Sequence, residues 1–159
     1  MNRGQVMSQL LKLLGALTFL LTSNTLSAAE CNETCQLEQV NAYFAALDRV
    51  SKKDSTVNDI DNLLALTHDD VKYIHLDYQA NFTKDAWRKA FLRNLELGRY
   101  QKTEKNQIRI LRSIPGKKHV AIEYSHGVIK QDGQWKKTDN YLAIFGFTDG
   151  QIFLIKELW

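Results

Sequence analysis

The sequence predicts an α+β domain in which three N-terminal helices pack on a curved, mostly antiparallel sheet. Apolar residues recur at helical spacing in three segments before Gly98, and segments of alternating, strand-like character dominate the rest of the chain. Turn dipeptides separate these later segments at the spacing of antiparallel hairpins: Pro115-Gly116, Asp132-Gly133 and Asp149-Gly150.

The first 29 residues are predicted to be a secretory signal peptide. Arg3 and Lys12 precede an apolar run from Leu13 to Leu21, and Ser27-Ala28-Ala29 gives the small-x-small pattern of a cleavage site. That run is about nine residues long, whereas a membrane-spanning helix needs roughly 20. We therefore predict an exported protein, periplasmic or secreted, that has no membrane partner after cleavage.

The mature chain, residues 30–159, is long enough for one domain with a real core and too short for two. Without Arg3 and Lys12, the mature chain has 19 of the 21 basic residues and all 18 acidic ones, which gives a net charge of +1. This near-neutral charge argues against nucleic acid as the main partner.

Both cysteines follow the predicted cleavage site closely, at Cys31 and Cys35. An exported compartment is oxidising, so a local disulfide is the preferred interpretation. A redox or metal-binding role for the pair is less favoured, because no partnering Cys or His lies nearby in the sequence. The bond should fix the chain end at the entrance to the first helix.

Three amphipathic helices are predicted in order. The first runs from about Leu37 to Val50, the second from Val57 to Leu66, and the third is capped by Thr83 and stopped by Gly98. A strand, VKYIHLDYQ at 71–79, lies between the second and third helices. Four later strands are predicted at about 102–114, 118–130, 134–147 and 151–159.

The last two strands are apolar on both faces. Tyr141, Ala143 and Phe145 lie on one face of their strand, while Leu142 and Ile144 lie on the other. A sheet with one face open to water should alternate more cleanly. A second copy of the same sheet is the simplest cover, which predicts a homodimer.

His75 and Asp77 stand at positions i and i+2 of VKYIHLDYQ and would share one face of the strand. An imidazole can transfer protons near neutral pH, and a carboxylate on the same face could orient it. The alternative is a histidine that satisfies a hydrogen bond at a cavity mouth beside an aspartate that starts a turn. The pattern alone leaves open which face points inward, because Ile74 and Leu76 make the other face apolar as well.

Several aromatic residues and one further histidine are candidates for lining a pocket: Tyr73, Trp87, Phe91, Tyr124 and His126. Helical spacing of aromatics is equally typical of a core. His75, Asp77 and His126 could together hold iron or zinc, although no tight motif fixes their geometry. We therefore predict neither a metal nor a cofactor.

Two segments resemble the nuclear transport factor 2-like superfamily, which includes ketosteroid isomerase and polyketide cyclase-like proteins of cystatin-like α+β fold. The first combines Val40 to Leu47 with Asp69-Asp70-Val71, and the second is the ending from Asp149 to Trp159. The resemblance implies a cone-shaped cavity between sheet and helices, usually in a dimer joined through the outer sheet face. It also implies that Tyr43 falls where the isomerases keep a hydrogen-bond donor to the enolate, and His75 where they keep their general base. On that resemblance we expect Tyr73, His75 and Asp77 to point inward, and Lys72 and Tyr78 to point away.

Two functions follow from these residues. The first is an exported binding module whose cavity holds a small apolar or amphipathic molecule, with His75, Asp77 and Tyr43 as polar contacts. The second is an isomerase, dehydratase or cyclase in which the same residues transfer protons. We favour the binding module, because the family's second oxyanion donor has no clear match near Asn140 or Leu142.

Overall fold

The computed structural model describes residues 31–159, and the predicted signal peptide lies outside the described residues. Three helices form in this part of the chain, and none of them is long and apolar enough to cross a membrane. Their bounds are Glu33–Val50 for α1, Val57–Ala65 for α2 and Lys84–Glu96 for α3.

Each helix begins at a side-chain cap. The side chain of Asn32 accepts a hydrogen bond from the Cys35 N–H at α1, and Thr56 forms a capping box with Asp59 at α2. Thr83 caps α3, and Gly98 ends it with a φ of 61°, as predicted. The three predicted helices are therefore confirmed, although α1 begins four residues before Leu37.

Seven strands form one sheet, in the order β2-β1-β7-β6-β4-β3 with β5 paired to β4. All neighbours are antiparallel except β1 and β7, which run parallel. The bounds, in chain order from β1 to β7, are Thr67–His75, Ala80–Thr83, Asn106–Pro115, His119–Ile129, Trp135–Lys137, Tyr141–Thr148 and Gln151–Glu157.

Two strand predictions were wrong. The strand predicted at 134–147 is two strands, because residues 138–140 leave the sheet between β5 and β6. The strand predicted to continue to Gln79 ends at His75, and residues 76–79 form a turn in which Gln79 has a φ of 50°. The short strand β2 after this turn was not predicted.

The core lies between α1 and the inner face of the sheet. Val40, Tyr43 and Phe44 of α1 pack there against buried side chains of the strands, including Ile122 and Phe145. The opposite, outer face keeps apolar side chains in solvent, with Leu142 44% exposed and Ile114 66% exposed. Phe145 of β6 is thus an inner residue and Leu142 an outer one, a choice that the sequence pattern left open.

A bulge in β7 determines which of its residues face the core. Phe147 pairs with Ile152 and Phe145 pairs with Ile155, so β7 uses one more residue than β6 over this stretch. The extra residue shifts the alternation of the strand. As a result, Ile152, Ile155 and Glu157 are all buried on the inner face.

The start of the described chain is fastened to a distant turn. The predicted disulfide joins Cys31 and Cys35 beside the first turn of α1. Gln36, fully buried, donates hydrogen bonds from Nε2 to the carbonyl oxygens of Cys31 at 3.1 Å, Gly116 at 3.0 Å and Lys117 at 3.3 Å. The beginning of α1 is thereby tied to the turn between β3 and β4.

Candidate functional site

His75 ends β1 on the inner face, where its side chain is 1% exposed. Its Nδ1 accepts a 3.4 Å hydrogen bond from the Tyr78 N–H, while its Nε2 is buried without a partner. The Tyr78 ring stacks on the imidazole at 4.2 Å, and the Trp159 ring meets it edge-on at 4.3 Å. Burial lowers the pKa of His75, and the opposing influence of Asp77 is smaller.

Asp77 does not share the face of His75. Because β1 ends at His75, Asp77 lies in the following turn with its side chain exposed. The backbone N–H of Asp77 donates to the Trp159 carbonyl at 3.1 Å, and no hydrogen bond joins its carboxylate to the imidazole. The expected inward orientation of Asp77 was therefore wrong, and Tyr78, expected to point away, covers His75 while remaining 72% exposed.

Tyr43 projects from the middle of α1 and is fully buried. Its hydroxyl has no hydrogen-bond partner in the described part of the chain. Burial raises the pKa of the phenol well above its usual value, and the charge of Glu157 adds to the shift, so the group stays protonated.

Three of the candidate aromatic residues, Tyr73, Trp87 and Phe91, form one layer with Tyr43 between the helices and the sheet. The rings of Tyr73 and Trp87 stack at 4.6 Å, and Trp87 lies 5.3 Å from Phe91 and 6.3 Å from Tyr43. Tyr124 of β4 is buried, while Tyr73 and Phe91 are partly exposed. The layer crosses the region where the resemblance implies a cavity, whereas the Tyr124 ring packs on those of Phe44 and Tyr141.

Sequence reasoning missed Glu157, the residue of β7 that pairs with His75 across the parallel strands. Its side chain is 3% exposed, and its Oε2 accepts hydrogen bonds from the Tyr124 hydroxyl and from Trp159 Nε1, the latter at 2.7 Å. Burial raises the pKa of Glu157, and these two donors only partly oppose the shift. The result is a buried carboxylate in a shell of aromatic side chains.

A signal for Glu157 was present in the sequence. It stands two residues after Ile155 and two before Trp159, so strand alternation places all three side chains on one face. An acidic residue between two large apolar ones on the same face is a candidate buried carboxylate. The face itself could not be assigned, because the bulge in β7 has no clear sequence pattern.

His126 lies further along β4, where its Nδ1 is 3.4 Å from Lys102 Nζ. Burial, together with the charge of Lys102, lowers the pKa of His126 to about 4, so the imidazole is neutral at pH 7. The rings of His126 and Tyr141 are 5.6 Å apart, and Tyr141 in turn packs on Trp159 at 4.3 Å. Two aromatic residues thus stand between His126 and His75.

The metal alternative finds no support in residues 31–159, where no group of three or more His, Cys, Asp or Glu side chains could hold an ion. Asp77 is exposed and His126 is separated from His75 by the rings of Tyr141 and Trp159. The three proposed ligands therefore do not converge.

Comparison with known proteins gives structural likeness at low sequence identity. No protein-family model matches the sequence, and no curated protein does. The crystal structure of TerC with polyporic acid is 14% identical and covers 79% of this chain and 91% of that protein, with a TM-score of 0.54. An NTF2-like protein of unknown function from Burkholderia pseudomallei is 14% identical over 79% of this chain and 90% of its own, with a TM-score of 0.54. An LEH-like epoxide hydrolase from M. tuberculosis is 17% identical and covers 78% of this chain and 81% of its own, with a TM-score of 0.53.

Proposed function

We propose that this chain, which has the nuclear transport factor 2-like fold, is an exported domain that binds a small apolar or amphipathic molecule between its helices and sheet. One observation carries the proposal: His75 Nε2 and the Tyr43 hydroxyl are both buried without hydrogen-bond partners, beside a layer of aromatic rings. Leaving such a group unpaired costs about 1–3 kcal/mol. A ligand that satisfies both atoms recovers this free energy.

The two unpaired groups define the polar atom that the ligand must offer. Because His75 Nδ1 accepts a hydrogen bond from the Tyr78 N–H, the neutral imidazole carries its proton on Nε2. The Tyr43 phenol is protonated as well, since burial raises its pKa. Both groups are therefore donors, and they suit a carbonyl, ether or hydroxyl oxygen.

The aromatic layer suits the remainder of such a ligand. Tyr73 and Trp87 offer stacked ring faces at 4.6 Å, and Phe91 continues the layer toward solvent. Aromatic side chains with a few placed polar groups are typical of small-molecule sites. TerC, a protein of this fold, has been crystallized with polyporic acid. Here the rings fill that region, so they must separate to open the cone-shaped cavity that the resemblance implies.

Replacing His75 by alanine should weaken binding about tenfold, because the ligand loses one buried hydrogen bond. Lys72→Ala should leave affinity unchanged, since Lys72 is exposed on the same strand. Ligand extracted from purified protein and identified by mass spectrometry is titrated back onto both variants. Equal affinities for the two variants would remove the polar anchor and with it the proposed pocket.

An acid/base enzyme is the second candidate, and Glu157 favours it. Burial raises the pKa of the Glu157 carboxylate, which makes it a stronger base than an exposed carboxylate and suits it to accept and return a proton. His75, its neighbour across β1 and β7, would donate to a developing oxyanion through Nε2. Since Asp77 lies outside the pocket, proton transfer would rest on Glu157 and His75 instead of the predicted pair. Turnover of the recovered ligand that Glu157→Gln abolishes would establish this function.

A homodimer built on the outer sheet face accompanies either function. Exposed Leu142 and Ile114 border a groove of about 320 Å³ on this face, and Ile144 lies in the same row as Leu142. Ile144→Asp should give monomeric or aggregating protein, because a charge would enter an apolar interface. Sedimentation at micromolar concentration measures the oligomeric state of both proteins, and a monomeric wild-type protein would contradict the dimer.

Export should be accompanied by removal of the predicted signal peptide, residues 1–29. We expect the mature protein to begin at Glu30 and to be lighter by two hydrogens, because Cys31 and Cys35 are joined. Intact mass of protein from the exported fraction tests both expectations. An uncleaved chain or two free thiols in that fraction would contradict them.

A further inference from the structure

Glu157 is a buried carboxylate without a cationic neighbour. Its side chain is 3% exposed, yet no Lys, Arg or His nitrogen of residues 31–159 forms an ion pair with it within 4.0 Å. Buried charges in proteins are ordinarily paired or coordinate a metal. Among the described residues, Glu157 therefore lacks the cationic partner that a buried carboxylate ordinarily has.

The hydrogen bonds of Glu157 leave one oxygen available. Tyr124 and Trp159 both donate to Oε2, and these two donors also contact each other at 2.9 Å. Oε1 has no hydrogen-bond partner among the described residues. The hydrogen bonds to Oε2 thus fix the orientation of the carboxylate, and Oε1 is left available to a ligand.

Aromatic rings surround this carboxylate. Tyr124 and Trp159 donate hydrogen bonds to it directly, and the Phe44 ring packs on the Tyr124 ring at 4.7 Å. Tyr141 packs on Trp159 at 4.3 Å. Ring faces attract organic cations, and several rings combined with one carboxylate are well suited to bind an amine or quaternary ammonium group.

We propose that the ligand of this pocket is an organic cation, an amine or quaternary ammonium compound, whose charge is neutralised by Glu157 inside the aromatic shell. This inference rests on the proposed binding function and adds the chemical class of the ligand. The cationic group lies at Glu157, and an oxygen of the same molecule accepts from His75 and Tyr43. Tyr78, 72% exposed, and the partly exposed Trp159 border the way in.

Choline and 3,3-dimethylbutan-1-ol test the charge directly, because the two have nearly the same shape and differ by one positive charge. Binding is measured by tryptophan fluorescence and by calorimetry. We expect the wild-type protein to bind choline about tenfold or more tightly than the neutral alcohol. Glu157→Gln should abolish this preference, since the amide still accepts from Tyr124 and Trp159 but has no charge. Glu38→Gln removes a charge from an exposed site on α1 and should preserve the preference.

A second measurement applies if the Glu157→Gln variant does not fold. Choline is cationic at every pH, so any loss of its affinity in acid must come from the protein. Affinity of the wild-type protein should fall as Glu157 takes up a proton, at a pH above the ordinary carboxyl value of 4.5, because burial raises this pKa. Affinity that is constant down to pH 4.5 would overturn the proposal.

The outcomes separate the two proposals. Equal affinities of the wild-type protein for choline and the alcohol would overturn the cationic ligand and leave the pocket, provided that His75→Ala weakens binding of the alcohol. A choline preference that survives in Glu157→Gln would also overturn it. If neither compound binds and no ligand is recovered from the purified protein, the binding function falls as well.

Discussion

Replacing Trp87 by alanine should lower the free energy of unfolding by about 3–5 kcal/mol. Trp87 is 5% exposed, and its ring packs against Tyr73 at 4.6 Å and Phe91 at 5.3 Å. Removing the indole leaves a cavity that the surrounding helices cannot fully close. Alanine has the best helix propensity, so α3 itself loses no local stability. Urea denaturation followed by circular dichroism measures the change.

The neighbouring exposed residue Lys89 provides the control, and Lys89→Ala should change stability by less than about 0.5 kcal/mol. Added indole should stabilise Trp87→Ala more than it stabilises the wild-type protein, because it can occupy the cavity. A loss below 1 kcal/mol for Trp87→Ala would mean that the ring does not pack in the aromatic layer.

Lys52→Met should lower the free energy of unfolding by about 2–4 kcal/mol. Lys52 is 4% exposed, and its ammonium donates to the carbonyl oxygens of Thr103 and Asn106, each at 2.8 Å. It also lies 3.1 Å from Asp48 Oδ2, while Asp48 Oδ1 is buried without a partner. Methionine keeps most of the apolar stem but leaves two carbonyls and a carboxylate without their donor.

Lys53→Met is the matched control, because the Lys53 side chain is exposed and the contact of this residue with Lys102 is a backbone hydrogen bond, from the Lys53 N–H to the Lys102 carbonyl. It should be nearly neutral in the same urea titration. A double variant, Lys52→Met with Asp48→Leu, should regain part of the stability, since it removes the unpaired carboxylate. Equal losses for Lys52→Met and Lys53→Met would show that the buried ammonium contributes nothing.

The helices were predictable from sequence because their signals are local. Thr83 and Gly98 mark the two ends of α3 by their own backbone chemistry, whatever the rest of the chain does. The strand errors have a different origin. His75 ends β1 where the chain turns to form β2, and the pairing of those strands is a tertiary outcome. Alternation continues through Asp77 in the sequence, so periodicity could not locate the end.

The same difference between local signals and tertiary pairing explains which residues of the candidate site were predicted. His75 and Tyr43 were identified from the resemblance, and the structure buries both with an unpaired polar atom. Asp77 was assigned by extending the strand, and its position depends on where the strand ends. Alternation with Ile155 and Trp159 made Glu157 a candidate, but placing it on the inner face beside His75 required the β7 bulge and the parallel pairing with β1, neither of which is visible in a local pattern.

The position of β7 also bears on how the chain folds. In the sheet order β2-β1-β7-β6-β4-β3, β7 alone connects β1 and β2 to the remaining strands. Its pairing joins Lys72 to Leu154 and His75 to Glu157, partners that are far apart along the chain. Contacts of such separation require a large loop to close first, and they slow folding. We therefore expect His75 and Glu157 to meet only when the two parts of the sheet merge, so that the site and the completed sheet form in the same kinetic step.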